Sequence, residues 1–273
     1  FTLTEVREAA DDRAMTLVAP RRSPRPMLTA VLLIAIALVA WILTIDRMRG
    51  MDAGPGTDLG GLGWFVGVWV TMLAAMMLPS AAPMTLMFAR VSRTSPTWVF
   101  VTGYLAAWTA YGLLAYGVFR LVIALGSDWL AWDRNGPYVA GGAILAAGLY
   151  QLSPLKEACL RHCRGPFHFV VHGWREGRLG ALDMGVEHGL YCIGCCWGLM
   201  AALFALGVMS LFWTAVLTAV IFAEKVLPFG VLLSRGVALT LVALGIWVAA
   251  APGSVPGLTD PGTPGSPSMQ MGS

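Results

Sequence analysis

Residues 27–45 contain no charged side chain, and further long apolar runs with few charges follow as far as residue 251. About 20 apolar residues in a helix cross the hydrocarbon layer of a bilayer, so each run reads as a membrane span. Only 12% of the 273 residues are charged and 57% are hydrophobic, against about 25% charged in a soluble domain. Fourteen methionines and eleven tryptophans enlarge an apolar inventory already too big for one soluble core. The chain is therefore expected to be all-α, a polytopic transmembrane helical bundle.

About seven spans are expected by length and hydropathy, at 27–45, 64–88, 97–124, 137–153, 185–207, 209–228 and 236–251. They make 27–251 one transmembrane domain. Residues 1–26 carry mixed charge and end in the basic run Arg21, Arg22 and Arg25. They read as a cytoplasmic arm rather than a cleavable signal peptide. The Gly-rich segment 46–63 reads as a loop, and Gly207-Val208-Met209 as a very tight turn. Pro79 and Pro83 fall inside the second span and predict a kink near Leu78. The fourth span is rich in Gly and Ala, which lets membrane helices approach closely. Residues 154–184 form the largest internal loop. The Pro/Gly/Ser-rich segment 252–273 reads as a disordered external tail.

Basic residues accumulate on cytoplasmic loops. With seven spans and the amino terminus inside, fourteen of the eighteen Lys and Arg residues fall on inside segments, including Arg90, Arg93, Lys225 and Arg235. Arg47, Arg49, Arg120 and Arg134 fall outside. This bias predicts a cytoplasmic amino terminus and an external carboxyl terminus.

All five cysteines and all four histidines lie between Cys159 and Cys196. Cys159, His162 and Cys163 are spaced i, i+3, i+4 and share one helical face. Two thiolates and an imidazole suit a copper or zinc ion. His168 and His172 repeat the i, i+4 spacing. On the fifth span His188 and Cys192 are one turn apart, and Cys195 and Cys196 follow on the same broad face. Polar groups within a span are costly and mark function by default. A reducing cytoplasmic side favours metal binding over a disulfide for such a group.

Met72 and Met76, one turn apart on the second span, add uncharged soft sulfur that selects Cu(I), although methionine also fills core gaps without binding anything. Met84 and Met87 approach the cytoplasmic end of that span. Glu224 and Lys225 form a candidate counter-charge pair near the inner end of the sixth span, with Lys225 snorkelling and Glu224 as its partner. Tyr150 and Gln151 close the fourth span on the same side. Nucleotide loops, Ser/His/Asp arrangements, and basic runs interleaved with aromatics are absent from the sequence, which sets aside nucleotide chemistry, triad hydrolysis and nucleic-acid binding.

The segments AMMLPSAAPM (75–84), YQLSPLK (150–156), CLRHCR (159–164), HGLYCIGCCW (188–197) and AEKVLP (223–228) resemble, in order and spacing, the bacterial DUF2182 family of integral membrane proteins with a proposed metal site. The resemblance covers about 60–250 and implies a polytopic protein of the bacterial inner membrane. It emphasises Cys159, His162, Cys163, His188, Cys192, Cys195 and Cys196, and leaves His168 and His172 outside the matching parts. Together these readings predict a transition metal ion as ligand, copper first, with zinc or iron as alternatives. The expected activity is copper handling or delivery through a cytoplasmic-side Cys/His cluster. The expected partners are the lipid bilayer, a metallochaperone or other membrane subunits. A membrane oxidase or oxygenase, a subunit with a structural metal and a thiol–disulfide redox protein are the alternatives at this point.

Overall fold

A computed structural model describes residues 25–49, 59–92, 95–126, 135–207 and 210–255. Residues 1–24 of the arm and 256–273 of the tail lie outside it; Arg25 and Pro26 open the first helix, and Pro252–Ser254, expected to be disordered, form a short 3-10 turn. Every regular element among the described residues is a helix, with no strand. The helices are α1 (Arg25–Met48), α2 (Leu62–Val91), α3 (Thr97–Gly126), α4 (Gly136–Gln151), α5 (Pro154–Arg164), α6 (Pro166–Gly173), α7 (Gly177–Leu206), α8 (Leu211–Val226) and α9 (Gly230–Ala250).

Five of these helices, α1, α2, α3, α7 and α9, are long and apolar enough to cross a membrane. α4 and α8 have 16 residues each, so each rises about 24 Å, short of a hydrocarbon core of about 30 Å. Outward-facing Leu, Ile and Val side chains cover α1 and α9, a surface suited to lipid and poorly suited to water.

Three pairings organise the bundle: α1 with α2 and α4 with α9 run antiparallel, whereas α3 and α7 run parallel, Phe100 lying by Gly185 and Tyr111 by Trp197. At the α4–α9 crossing a β-carbon on Gly141 would sit 2.5 Å from the Gly245 carbonyl oxygen, and one on Gly245 would sit 2.7 Å from that of Gly141. Only paired glycines allow this approach. The Gly/Ala face of α4 is thus filled from within the chain.

α2 is one helix through Pro79 and Pro83. The prolines remove the usual i+4 donors to Ala75 O and Pro79 O; beside them Ser80 Oγ donates to Met77 O (2.9 Å) and Thr85 Oγ1 to Ala81 O (3.0 Å). Residues 154–184 are helical where a loop is expected. Ser153 caps α5 by accepting from Lys156 N (3.1 Å), with Pro154 at its first position. α7 begins at Gly177 rather than 185, because Arg175 pairs with Asp183 (2.5 Å) and Glu187 (3.0 Å) and supports two polar turns beyond the apolar run. The turn after α7 begins with Gly207 at φ +105°, and Ser210 caps α8; Val208 and Met209 lie outside the described residues.

Candidate metal centre

The spacing of Cys192, Cys195 and Cys196 puts their sulfurs on the buried side of α7, all within 4.8 Å of one another. Cys195 Sγ is 3.3 Å from Cys196 Sγ and 3.8 Å from Cys163 Sγ on α5. All five cysteines are free thiols. Three sulfurs each about 2.3 Å from a shared ion stand about 4 Å apart, and two in a linear pair about 4.6 Å. The observed group therefore fits a soft cation with little rearrangement.

Cys163 enters this group from α5, one turn from Cys159. The neighbouring Cys192 sulfur, with burial added, holds the Cys163 thiol well above its ordinary pKa. Cys159 is half-buried and lies over Gly194 of α7: a β-carbon on that glycine would come 2.6 Å from Cys159 Sγ. The glycine in Cys-Ile-Gly-Cys-Cys is what lets α5 seat there. Burial pushes the Cys159 thiol up as well.

His162 stacks flat on Tyr191, ring centres 4.2 Å apart, and its Nδ1 is 2.9 Å from the Ala158 carbonyl oxygen. It borders a surface cleft of about 230 Å³ lined by Arg161, His162, Gly165 and Phe169. His188 sits one turn before Cys192, buried against Phe100, Tyr104 and Phe169. Its Nδ1 has no hydrogen-bond partner, a costly state for a buried polar atom. His188 lies outside the three-sulfur group. The side chains of His168 and His172 are outside the described residues.

The cluster has a cation built into it. Lys225 Nζ is 2.9 Å from Cys192 Sγ and 3.2 Å from Ser80 Oγ, and Tyr104 Oη is 3.0 Å from the same sulfur. Lys225 is buried, so the expectation that it snorkels is corrected: its stem runs inward, to the thiols. The expected Glu224–Lys225 pairing is replaced as well. Consecutive helical residues point about 100° apart, and Glu224 is turned instead to Lys156, with Oε2 2.7 Å from Nζ and both side chains almost fully buried. Gln151 completes this pair, donating to Glu224 Oε1 (3.3 Å) and accepting from Lys156. Sequence reading missed Tyr104 and Lys156 as neighbours of the site, although YQLSPLK and AEKVLP carried Lys156, Gln151 and Glu224 together.

α5 is fixed to the end of α8 at both its ends. Lys156 holds Glu224, and Arg164 donates to the carbonyls of Glu224 (3.2 Å), Leu227 (2.5 Å) and Pro228 (2.9 Å). Such capping satisfies the carbonyls left open at a helix C-terminus. Between those anchors, Cys159 and Cys163 are held against α7. Met72, Met76 and Met77 are buried in the same cluster as the α7 cysteines, while Met84 is in a second buried cluster with Met184.

Residues 66–248 match a family model described as PpoB2, copper chaperone. No curated protein and no solved structure matches the chain.

Proposed function

The chain belongs to the PpoB2 copper-chaperone family, and from that premise we propose that it receives and hands on Cu(I) within a bacterial inner membrane, using the thiols of Cys192, Cys195 and Cys196. The observation that carries this reading is the buried three-sulfur group. Soft thiolates select Cu(I), and a buried site of this kind keeps the ion from water. Copper here is cargo.

Capture begins at Cys159 and His162, beside the cleft on α5. Cys163, 3.8 Å from Cys195 Sγ, passes the ion to α7 by thiol exchange, and His188 and Glu224 stand behind this route. The metal stays Cu(I) throughout, and each thiol that binds gives up its proton. A soluble metallochaperone is the proposed donor, docking at the α5 surface. The proposed topology counts α4 and α8 as crossings beside the five long helices, although each rises only about 24 Å; α5 is then cytoplasmic and the carboxyl terminus external, an orientation favoured by fourteen of eighteen basic residues. The motifs resembling DUF2182 fit the same reading.

Elemental analysis of the detergent-purified protein, beside a Cys192→Ser/Cys195→Ser/Cys196→Ser variant, tests it. Copper bound to the first and lost from the second is the expected result. Zinc alone, or no metal together with an oxidised Cys195–Cys196 pair, contradicts it.

A further inference from the structure

Along α7 the positions 184, 188, 192, 196 and 200 are Met, His, Cys, Cys and Met, and all five are buried. They form one i+4 ridge about 24 Å long. No position on that ridge is a plain hydrocarbon, although Ala181, Leu199, Ala202, Leu203 and Leu206 show that the helix uses hydrocarbon side chains freely elsewhere in its core. A ridge serving only to pack would not select a possible soft-metal ligand five times in succession.

α2 runs antiparallel to this ridge in a register that three contacts define. At one end Trp69 of α2 and Phe204 of α7 are 5.7 Å apart, centre to centre. In the middle Ser80 and Cys192 share the Lys225 ammonium. At the other end Met84 and Met184 are in one buried cluster. Met72 and Met76 lie between Trp69 and Ser80, and Met200 and Cys196 lie between Phe204 and Cys192. These four sulfur residues thus occupy the same interval of the bundle and the same buried cluster.

We infer that Met72, Met76 and Met200 form a second Cu(I) site, a thioether site adjoining the thiol centre on the side away from α5. The inference rests on the thiol reading above and extends it. Thioethers are neutral and bind Cu(I) without losing a proton, so an ion there is held more loosely than among thiolates. Cys196, one turn from Met200 on the ridge, is the shared rung. Multi-site binding of graded strength is what onward movement of an ion requires. Beyond Met72 the packed rings of Phe65, Trp69, Tyr116 and Phe204 close the end of the seam.

Titration of the full-length protein in detergent with Ag(I), a soft monovalent probe, tests the site by counting ions per chain. Two bound Ag(I) in the native protein, the second weaker than the first, falling to one in Met72→Leu/Met76→Leu/Met200→Leu, is the expected result. Leucine is close in volume to methionine and keeps the core filled. One Ag(I) in both proteins, or two in both, overturns the thioether site and leaves the thiol site standing. No Ag(I) in either removes the thiol reading along with it.

Discussion

The Lys225 ammonium lies 2.9 Å from the Cys192 sulfur in the interior of the bundle, with Ser80 Oγ as its other neighbour at 3.2 Å. A buried ammonium calls for a counter-charge, and Cys192 is the group placed to supply one as a thiolate. Two thiolates on Cu(I) carry one negative charge, which the same ammonium offsets. Lys225→Gln removes that balance. Cu(I) affinity, measured by competition with a Cu(I) chelator, is expected to fall by about 10–100-fold, the range typical of groups that support metal ligands. Unchanged affinity would separate Lys225 from the metal centre.

Glu224 and Lys156 form a buried pair with Gln151 as their shared neighbour. Glu224→Gln leaves an ammonium buried without its carboxylate, a loss of about 3–5 kcal/mol. Thermal unfolding in detergent is expected to show a marked drop for Glu224→Gln and a partial recovery in Glu224→Gln/Lys156→Met, where the stranded charge is gone. Equal unfolding temperatures for native protein and single variant would show that the pair does not anchor α5.

Much of this arrangement is readable in the sequence, because hydropathy locates apolar helices and i, i+4 spacing assigns the cysteines of α7 to one side. Two features are not. Apolar runs end before the helices do, so the polar turns at 177–184, stabilised by Arg175, and the short helices α5 and α6 read as loop; Ser153-Pro154 was the available signal for α5. The pairing of charges is also hidden. Adjacency in sequence suggests Glu224 with Lys225, but helical rotation sends one to α5 and the other to α7.

The α4–α9 crossing depends on bare backbone. Gly245→Ala puts a β-carbon 2.7 Å from the Gly141 carbonyl oxygen, whereas at Gly142 nothing lies within 4 Å of an added β-carbon. The first substitution is expected to cost about 1–3 kcal/mol of stability. Gly142→Ala should leave the unfolding temperature in place. The reverse order would refute the packing.

Cys159 is the one cysteine that is not fully buried, and burial still pushes its thiol up. Because the thiolate is the reactive form, a raised pKa lowers its fraction near neutrality, and the rate should go on rising with pH beyond the point where a free thiol levels off. Mass spectrometry after brief iodoacetamide treatment is expected to find Cys159 modified first, with Cu(I) loading slowing the reaction. Faster labelling of Cys195 or Cys196 would contradict the placement of α5 over α7.

Copper K-edge X-ray absorption on the full-length protein, loaded with one equivalent of copper, tests the central claim most directly. The account predicts a Cu(I) edge and an inner coordination shell of sulfur alone, lost when Cys192, Cys195 and Cys196 are changed to serine. A Cu(II) edge, a shell of nitrogen and oxygen, or a sulfur shell that survives the three substitutions unchanged would contradict it.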